Sequence, residues 1–501
     1  MKQVKIGAIL SYLSIGINII LTLIYTPWMI EKIGQEHYGL YTLATSLISF
    51  VAFDFGMSAA VSRFLSKYRA DGDTGKIGEF LSAAFQIYFL IDIVLLIIFL
   101  LLYLLIEVIY SGLTPDEVII FKQLYLIIAF YTFISFPGMP LNGILTAYEK
   151  FIPLKTSELL QRLLTVALVV LFLLKGADVV YIVLANTLAG IVGLLFRIAV
   201  VRKSTYIYIK LKNKYIGIYK EIFSFSIWSA IGNMATNLTY SLVPSIFAIT
   251  LNSKAIALYS PASVLGSYFY SIASAVNGMF LPTISKYIAK DKEEEVTQLM
   301  IKVGRYQTFA LGLIYIGYVC IGDIFIRLWL GDGFSESYLC AVFTMLPLFF
   351  RYTQQVGNTA IIAKNYVKEQ GKLFMLVTVI GNILVIIFSK NGGLIGGCIA
   401  LSITTMLYVV GMNYIQLKKI NIDLKKFYRE CYSSALFPAV IVLILGRFII
   451  AKMGNMELQW LIIKGMIIGI LYVGLMWSMS MRRDEKAYII YQFKRIFKNE
   501  V

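Results

Sequence analysis

Long apolar runs alternate with short polar connections along almost the whole chain. A helix needs about 20 mostly apolar residues to cross a bilayer. Fourteen runs meet this requirement, and they occupy residues 6–30, 38–61, 80–106, 118–147, 156–174, 179–201, 222–250, 259–284, 303–326, 337–363, 373–389, 393–415, 431–451 and 458–480. The pattern therefore predicts an all-α integral membrane protein with about 14 transmembrane helices, numbered spans 1–14 in chain order.

The chain also resembles itself at an offset of about 217 residues. The matching positions are Pro27 with Pro244, Leu40-Tyr41 with Leu258-Tyr259, Ser66–Tyr68 with Ser285–Tyr287, Asn142 with Asn358, and Gly176 with Gly392. The repeat predicts two six-helix halves. Because six is an even number, the halves share one orientation, which is a known transporter design with substrate handled between the repeats. A duplicated channel or membrane enzyme is the alternative.

The repeat also predicts the division of the chain. The expected segments are an N-terminal six-helix half (1–201), a basic cytoplasmic linker (202–221), a C-terminal six-helix half (222–430), an additional helix pair (431–480) and a basic cytoplasmic tail (481–501). The linker is the longest connection, so no separate soluble domain is expected. Its Lys and Arg residues suit the anionic lipids of the inner leaflet.

Basic residues fix the expected orientation. With both termini in the cytoplasm, the inside segments hold 33 Lys and Arg residues and the outside segments hold 7. Cytoplasmic loops carry the excess of Lys and Arg in membrane proteins. The chain is therefore expected to be a multi-pass membrane protein with both termini in the cytoplasm, and its net charge of +17 needs no nucleic acid to explain it.

The composition argues against several kinds of metal site and catalytic site. The chain is 59% hydrophobic and 15% charged, whereas soluble domains are about 25% charged. Its single histidine, His37, argues against a multi-His metal site and most His-based catalysis. The four cysteines show no CxxC spacing, and no nucleotide-binding motif is present. We therefore expect a protein that is not an enzyme and holds no metal or cofactor.

Ionisable residues inside spans are costly and usually face a cavity or a partner. Arg351 lies 14 residues into span 10, where it is a candidate anion contact or half of a structural ion pair. Asp92 in span 3 is comparably deep, and it is a candidate partner of Arg351 or a proton or sodium site. Glu158 and Arg162 in span 5 have the i,i+4 spacing of a helical ion pair, and they are further cavity candidates.

Two further pairs of residues are candidates for a role in conformational change. Asp54 and Arg63 lie near the inner end of span 2 and are candidates for a cytoplasmic gate, although Arg63 also suits a positive-inside anchor. Pro27 and Pro244 occupy equivalent places in spans 1 and 7. Proline removes a backbone hydrogen bond and kinks a helix, so both are candidate hinges; static bends for packing are the alternative.

Several segments resemble a known family. Gly34–Tyr41 reads GQEHYGLY, Asp54–Tyr68 reads DFGMSAAVSRFLSKY, and RADGD follows at Arg69–Asp73. They are similar to the N-terminal signature of bacterial polysaccharide flippases of the multidrug, oligosaccharidyl-lipid and polysaccharide exporter superfamily. The resemblance is most specific over residues 1–75, and the count of spans extends it over the chain.

The resemblance implies translocation of an undecaprenyl-pyrophosphate-linked oligosaccharide from the cytoplasmic to the outer leaflet, for O-antigen, capsule or a similar polymer. The lipid II branch of the superfamily carries arginines in its first span, whereas Asn18 is the most polar mid-span side chain here. This departure favours the O-antigen-type branch.

The alternatives are a drug/cation antiporter of the same superfamily, or a membrane polysaccharide polymerase or glycosyltransferase. The short outside loops argue against the enzyme. The expected partners are the lipid-linked anionic oligosaccharide, a coupling proton or sodium ion, and polysaccharide assembly proteins.

Overall fold

A computed structural model describes residues 2–51, 54, 56–204, 215–277, 280–454, 457–487 and 490–491. Every regular element assigned within these ranges is helical. Apolar residues dominate most of these helices, and the backbone groups of a membrane-spanning segment are satisfied within a helix without help from water.

The helices of the first part of the chain are α1 (Lys2–Ile33), α2 (Gln35–Val51), α3 (Met57–Ala70), α4 (Thr74–Ile109), α5 (Pro115–Ser135), α6 (Pro140–Ala147), α7 (Phe151–Leu174), α8 (Val179–Ser204), α9 (Ile216–Tyr240) and α10 (Val243–Thr250). A 3-10 turn, Phe136–Gly138, separates α5 from α6.

The helices that follow are α11 (Ser253–Asn277), α12 (Leu281–Ile288), α13 (Glu293–Leu330), α14 (Glu336–Thr353), α15 (Gln355–Ala363), α16 (Val367–Ile420), α17 (Leu424–Tyr428), α18 (Ser434–Lys452) and α19 (Leu458–Leu475). A 3-10 turn, Asp332–Phe334, precedes α14. Two π turns, Arg429–Ser433 and Met476–Ser480, precede α18 and follow α19.

Several spans that the sequence predicts as continuous are divided in the structure. Span 2 is split into α2 and α3, span 4 into α5 and α6, span 7 into α9 and α10, and span 10 into α14 and α15. In span 4 the sequence Phe136-Pro137-Gly138 supplies the reason, because proline cannot donate the hydrogen bond that would continue the helix.

Helix α16 contains a turn between the predicted spans 11 and 12. Gly392 and Gly393 leave helical geometry, and Gly393 has φ +60°, which a residue without a Cβ adopts readily. A Cβ placed on Gly396 would lie 2.3 Å from the carbonyl oxygen of Phe388. In a continuous helix, residues eight positions apart are about 12 Å from each other. The chain therefore folds back on itself at this turn.

Nine helical segments within the described residues are long and apolar enough to cross a membrane. Their outward faces carry large apolar side chains, such as Leu104 at 73% exposed and Ile470 at 74%. Exposed apolar area of this kind suits a lipid environment. The prediction of an all-α integral membrane protein is confirmed, while the count of fourteen spans stays a prediction.

Contacts divide the chain into two compact units. One comprises residues 1–260 and 374–400, and the other comprises residues 261–373 and 401–501. In the second unit, α18 and α19 pack on α13 through buried residues that include Cys320, Val442 and Ile468. The predicted segment boundaries of the chain stay predictions.

Candidate functional site

Asp54 lies at the break in span 2 and holds the start of α3. Its Oδ1 accepts hydrogen bonds from the backbone N–H groups of Met57 (3.0 Å) and Ser58 (3.4 Å), and the hydroxyl of Tyr88 also donates to it (3.3 Å). These bonds satisfy N–H groups that lack partners within the helix. Gly56, with φ +75°, makes the turn that precedes α3.

A polar cleft lies between α3 and α6 in the first unit, with a volume of about 450 Å³. Arg63, Asn142 and the hydroxyl groups of Ser62 and Thr146 line it. The two helices can approach closely because Gly143 has no Cβ. A Cβ at this position would lie 2.6 Å from the carbonyl oxygen of Ser58. The candidate gate residue Arg63 therefore lies in a cleft with several hydrogen-bonding groups.

Asn142 in this cleft has a fixed orientation. The guanidinium of Arg197, on α8, donates to its Oδ1 (3.0 Å). The oxygen of this amide is thus engaged as an acceptor, and the amide nitrogen supplies the two donors of the side chain. The cleft thus offers donor groups beside a cationic one, a combination that favours anions.

Arg162 and Glu158, both on α7, do not form the predicted i,i+4 pair. Glu158 pairs instead with Lys155 (Nζ–Oε2 2.8 Å), while the Nη2 of Arg162 donates to the hydroxyl of Thr22 on α1 (3.0 Å). The Arg162 side chain is long enough to reach α1, and Glu158 forms its ion pair with Lys155, one turn away on α7. Among the described residues, no acceptor lies within hydrogen-bond distance of the buried Nε of Arg162.

Asp92 is 1% exposed within α4. In the described part of the chain no donor lies within hydrogen-bond distance of its Oδ1. A buried carboxylate oxygen without a donor is costly, and the role of Asp92 as a proton or sodium site stays a prediction. Arg351 belongs to the other unit, and its pairing with Asp92 stays a prediction.

Arg351 lies in the last turn of α14 in the second unit and is half-buried. Its guanidinium carbon lies 4.7 Å from the ring centre of Tyr408, within the range of a cation–π contact. The hydroxyl of Tyr408 accepts a hydrogen bond from Gln370 (3.3 Å). The arginine is thus placed beside an aromatic ring and an amide.

The two candidate hinge prolines have different settings. Pro27 lies inside α1, which continues to Ile33. Pro244 lies in the first turn of α10, directly after the break at Ser241 and Leu242. A proline in a first turn leaves no intrahelical bond unmade, so Pro244 marks a helix start. Motion at either proline stays a prediction.

Arg305, on α13, is a buried charged residue and one of the 33 Lys and Arg residues counted in the inside segments. It is 2% exposed, and all five of its N–H groups are engaged. Nε contacts Glu485 (2.5 Å), Nη1 contacts the Glu430 carbonyl (2.5 Å) and the Ser434 hydroxyl (2.9 Å), and Nη2 contacts the Ser480 carbonyl and Glu485 (2.8 Å each). We call these five residues the Arg305 cluster.

The cluster joins elements far apart in sequence. Glu485 follows the last span, and Glu430 lies in the π turn before α18. Arg482, outside the spans, donates to the carboxylate of Glu430, and this hydrogen bond raises the pKa of Arg482 above its ordinary value. No signal in the sequence pairs Arg305 with Glu485, because 180 residues separate them.

No group of three or more His, Cys, Asp and Glu side chains that could hold a metal ion occurs in the ranges given above.

Comparisons with known proteins identify a family for the chain. Residues 4–288 match the family described as "Polysaccharide biosynthesis protein". The uncharacterized membrane protein EpsK of Bacillus subtilis (strain 168) is 22% identical over 350 residues, which cover 67% of this chain and 69% of EpsK.

Two solved structures share the fold. The lipid II flippase MurJ, in an inward closed conformation, superposes with a TM-score of 0.69 at 18% identity, covering 94% of this chain and 97% of MurJ. An inward-facing multidrug resistance transporter of the MATE family, in the MOP superfamily, gives 0.67 at 16% identity, covering 81% and 99%. The fold is therefore that of these transporters.

Proposed function

The chain belongs to the polysaccharide biosynthesis protein family, and on that premise we propose that it is a flippase for lipid-linked oligosaccharides. It carries an undecaprenyl-pyrophosphate-linked unit from the cytoplasmic to the outer leaflet by alternating access, for assembly of a cell-surface polysaccharide of the O-antigen or capsule type. It works in the bacterial cytoplasmic membrane with both termini in the cytoplasm.

The observation that carries this proposal is that the buried Nε–H group of Arg162 has no acceptor among the described residues. Moving a pyrophosphate through a bilayer requires donors that replace its hydration shell. Arg162 lies in a candidate membrane span, donates to Thr22, and retains a buried Nε without an acceptor among the described residues. A guanidinium binds phosphate oxygens through paired N–H groups, so a phosphate oxygen of the substrate would complete this site.

The cleft between α3 and α6 supports the same substrate class. Arg63 and the amide of Asn142 lie beside several hydroxyl groups there. Hydroxyl and amide donors suit sugars as well as phosphates, and the predicted topology places this end of span 2 at the cytoplasmic side. We therefore assign the cleft to the first contacts with the head group.

The test is complementation of a strain that lacks the protein. Arg162→Ala should abolish surface polysaccharide, and the lipid-linked precursor should accumulate in the inner leaflet. Lys155→Ala is the matched control, because it removes a basic residue from the same helix that pairs with Glu158 in a partly exposed ion pair. Normal export by Arg162→Ala at wild-type membrane levels would contradict the proposal.

Asp92 favours a second candidate, a drug/cation antiporter. Cation transport needs a buried acidic group, and Asp92 has a carboxylate oxygen without a donor in the described residues. This function predicts that deletion of the protein sensitises cells to cationic drugs, and that Asp92→Asn reproduces the effect while surface polysaccharide stays normal.

A further inference from the structure

A second cavity in the first unit is separate from the polar cleft. Its volume is about 380 Å³, and it lies beside the 3-10 turn that separates α5 from α6. Apolar side chains from both sides of the turn, among them Ile134 and Leu141, form one wall. Leu194 and Ile198 of α8 form another, and among the described residues of the lining Arg202 is the one that is charged.

The residues from α8 lie on one face of that helix. Leu194, Ile198 and Arg202 follow each other at intervals of four, which places them one above another. Eight residues of helix span about 12 Å, close to the roughly 15 Å of hydrocarbon in one leaflet. The cavity therefore extends along most of one leaflet, with its cationic end at the end of the candidate span Val179–Lys203.

The size and chemistry of this cavity fit one lipid chain. At roughly 30 Å³ for a group the size of a water molecule, 380 Å³ holds about a dozen such groups. Most of the lining is buried or half-buried, whereas Ile134 is 37% exposed and Arg202 is also exposed. Among the described residues no carboxylate lies within ion-pair distance of Arg202, so its charge is available to a phosphate.

We propose that this cavity binds one anionic phospholipid of the inner leaflet, with an acyl chain between α5, α6 and α8 and its phosphate on Arg202. Basic pockets between membrane helices on the cytoplasmic side recognise anionic head groups in this way. The bound lipid fills the space beside the break in span 4 and steadies α8 where the chain continues into the basic linker. The site takes a membrane lipid, and it does not depend on the transported substrate.

The test uses the full-length protein in detergent, with phosphatidylglycerol and phosphatidylcholine of identical acyl chains added at equal concentration. Native mass spectrometry counts the lipids retained. The wild type should retain phosphatidylglycerol preferentially. Arg202→Gln should weaken this binding about fivefold, equivalent to about 1 kcal/mol, the contribution of one basic residue at an anionic surface. Lys203→Gln is the matched control, with the same charge change outside the lining.

A second pair of variants tests the apolar part. Ile198→Trp fills the cavity and should remove the retained lipid, and Ile198→Phe serves if the larger side chain prevents folding. Leu195→Trp, on a residue that is 57% exposed and outside the lining, should change nothing. Equal losses from Arg202→Gln and Lys203→Gln would overturn the proposal, as would lipid retention by a folded cavity-filling variant. Displacement of phosphatidylglycerol by undecaprenyl phosphate would also overturn it and assign the cavity to the substrate.

Discussion

Replacing Arg305 with methionine should destabilise the protein by about 3–5 kcal/mol, the usual result of removing one partner from a buried ion pair. The magnitude follows from the Arg305 cluster. The substitution leaves the carboxylate of Glu485, 5% exposed, without its cation, and removes donors from the Glu430 and Ser480 carbonyls. For a unit of this size, 1 kcal/mol corresponds to about 2–4 °C, so the melting temperature should fall by roughly 10 °C.

The assay is thermal stability of the detergent-solubilised protein by size-exclusion chromatography after heating. Ser434→Ala removes one of the five contacts and should cost only about 1.5 kcal/mol. The decisive variant is Arg305→Met combined with Glu485→Met. It should be more stable than Arg305→Met alone, because the uncompensated carboxylate is gone. A double variant whose loss equals the sum of the single losses would refute the account of the cluster as a buried ion pair.

Three further predictions concern the membrane helices. Arg351→Lys should retain part of the export activity, since it keeps the charge without the planar guanidinium, whereas Arg351→Ala should abolish export at normal protein levels; normal surface polysaccharide with alanine would exclude a substrate role. Gly143→Val should separate α3 from α6 and lower the amount of folded protein in the membrane, because a single Cβ already meets the Ser58 carbonyl oxygen at 2.6 Å; unchanged levels and thermal stability would contradict the close packing. Asp54→Ala should cost about 0.5–2 kcal/mol through the lost N–H acceptor, Asp54→Asn should recover most of it, and equal melting temperatures for both would show that the capping bonds contribute little.

The sequence anticipates the helices better than their interruptions. Apolar runs identify spans because length and composition alone decide whether a segment suits a bilayer. The break in span 2 has a local signal, an aspartate two residues before Gly56, but the run from 38 to 61 conceals it. In span 10 the helix ends at Thr353 and restarts at Gln355 with no proline or glycine at the junction, so tertiary contacts must set the break.

The candidate residues show the same limit. The spacing predicted an ion pair between Glu158 and Arg162, whereas the partner of Glu158 in the structure is Lys155. Spacing along one helix cannot predict that Thr22 on α1 accepts a hydrogen bond from Arg162. The partners of Arg305 lie at residues 430–434 and 480–485, so no pattern near Arg305 in the sequence predicts its cluster. Such contacts depend on packing that no local pattern contains.

The π turn at Met476–Ser480 sets the tolerance of this region to insertions and deletions. A π turn holds one residue more than an α turn, and the hydrogen bond from Met481 to the Met476 carbonyl (2.9 Å) closes it. Because the π turn already holds one extra residue, losing one would leave an α turn and keep the direction of the following chain, whereas gaining one would rotate that chain by about 100° and turn Glu485 away from Arg305. Chain ends ordinarily tolerate changes in length. Near Ser480 an added residue is instead opposed by the contacts of a guanidinium 175 residues earlier in the chain.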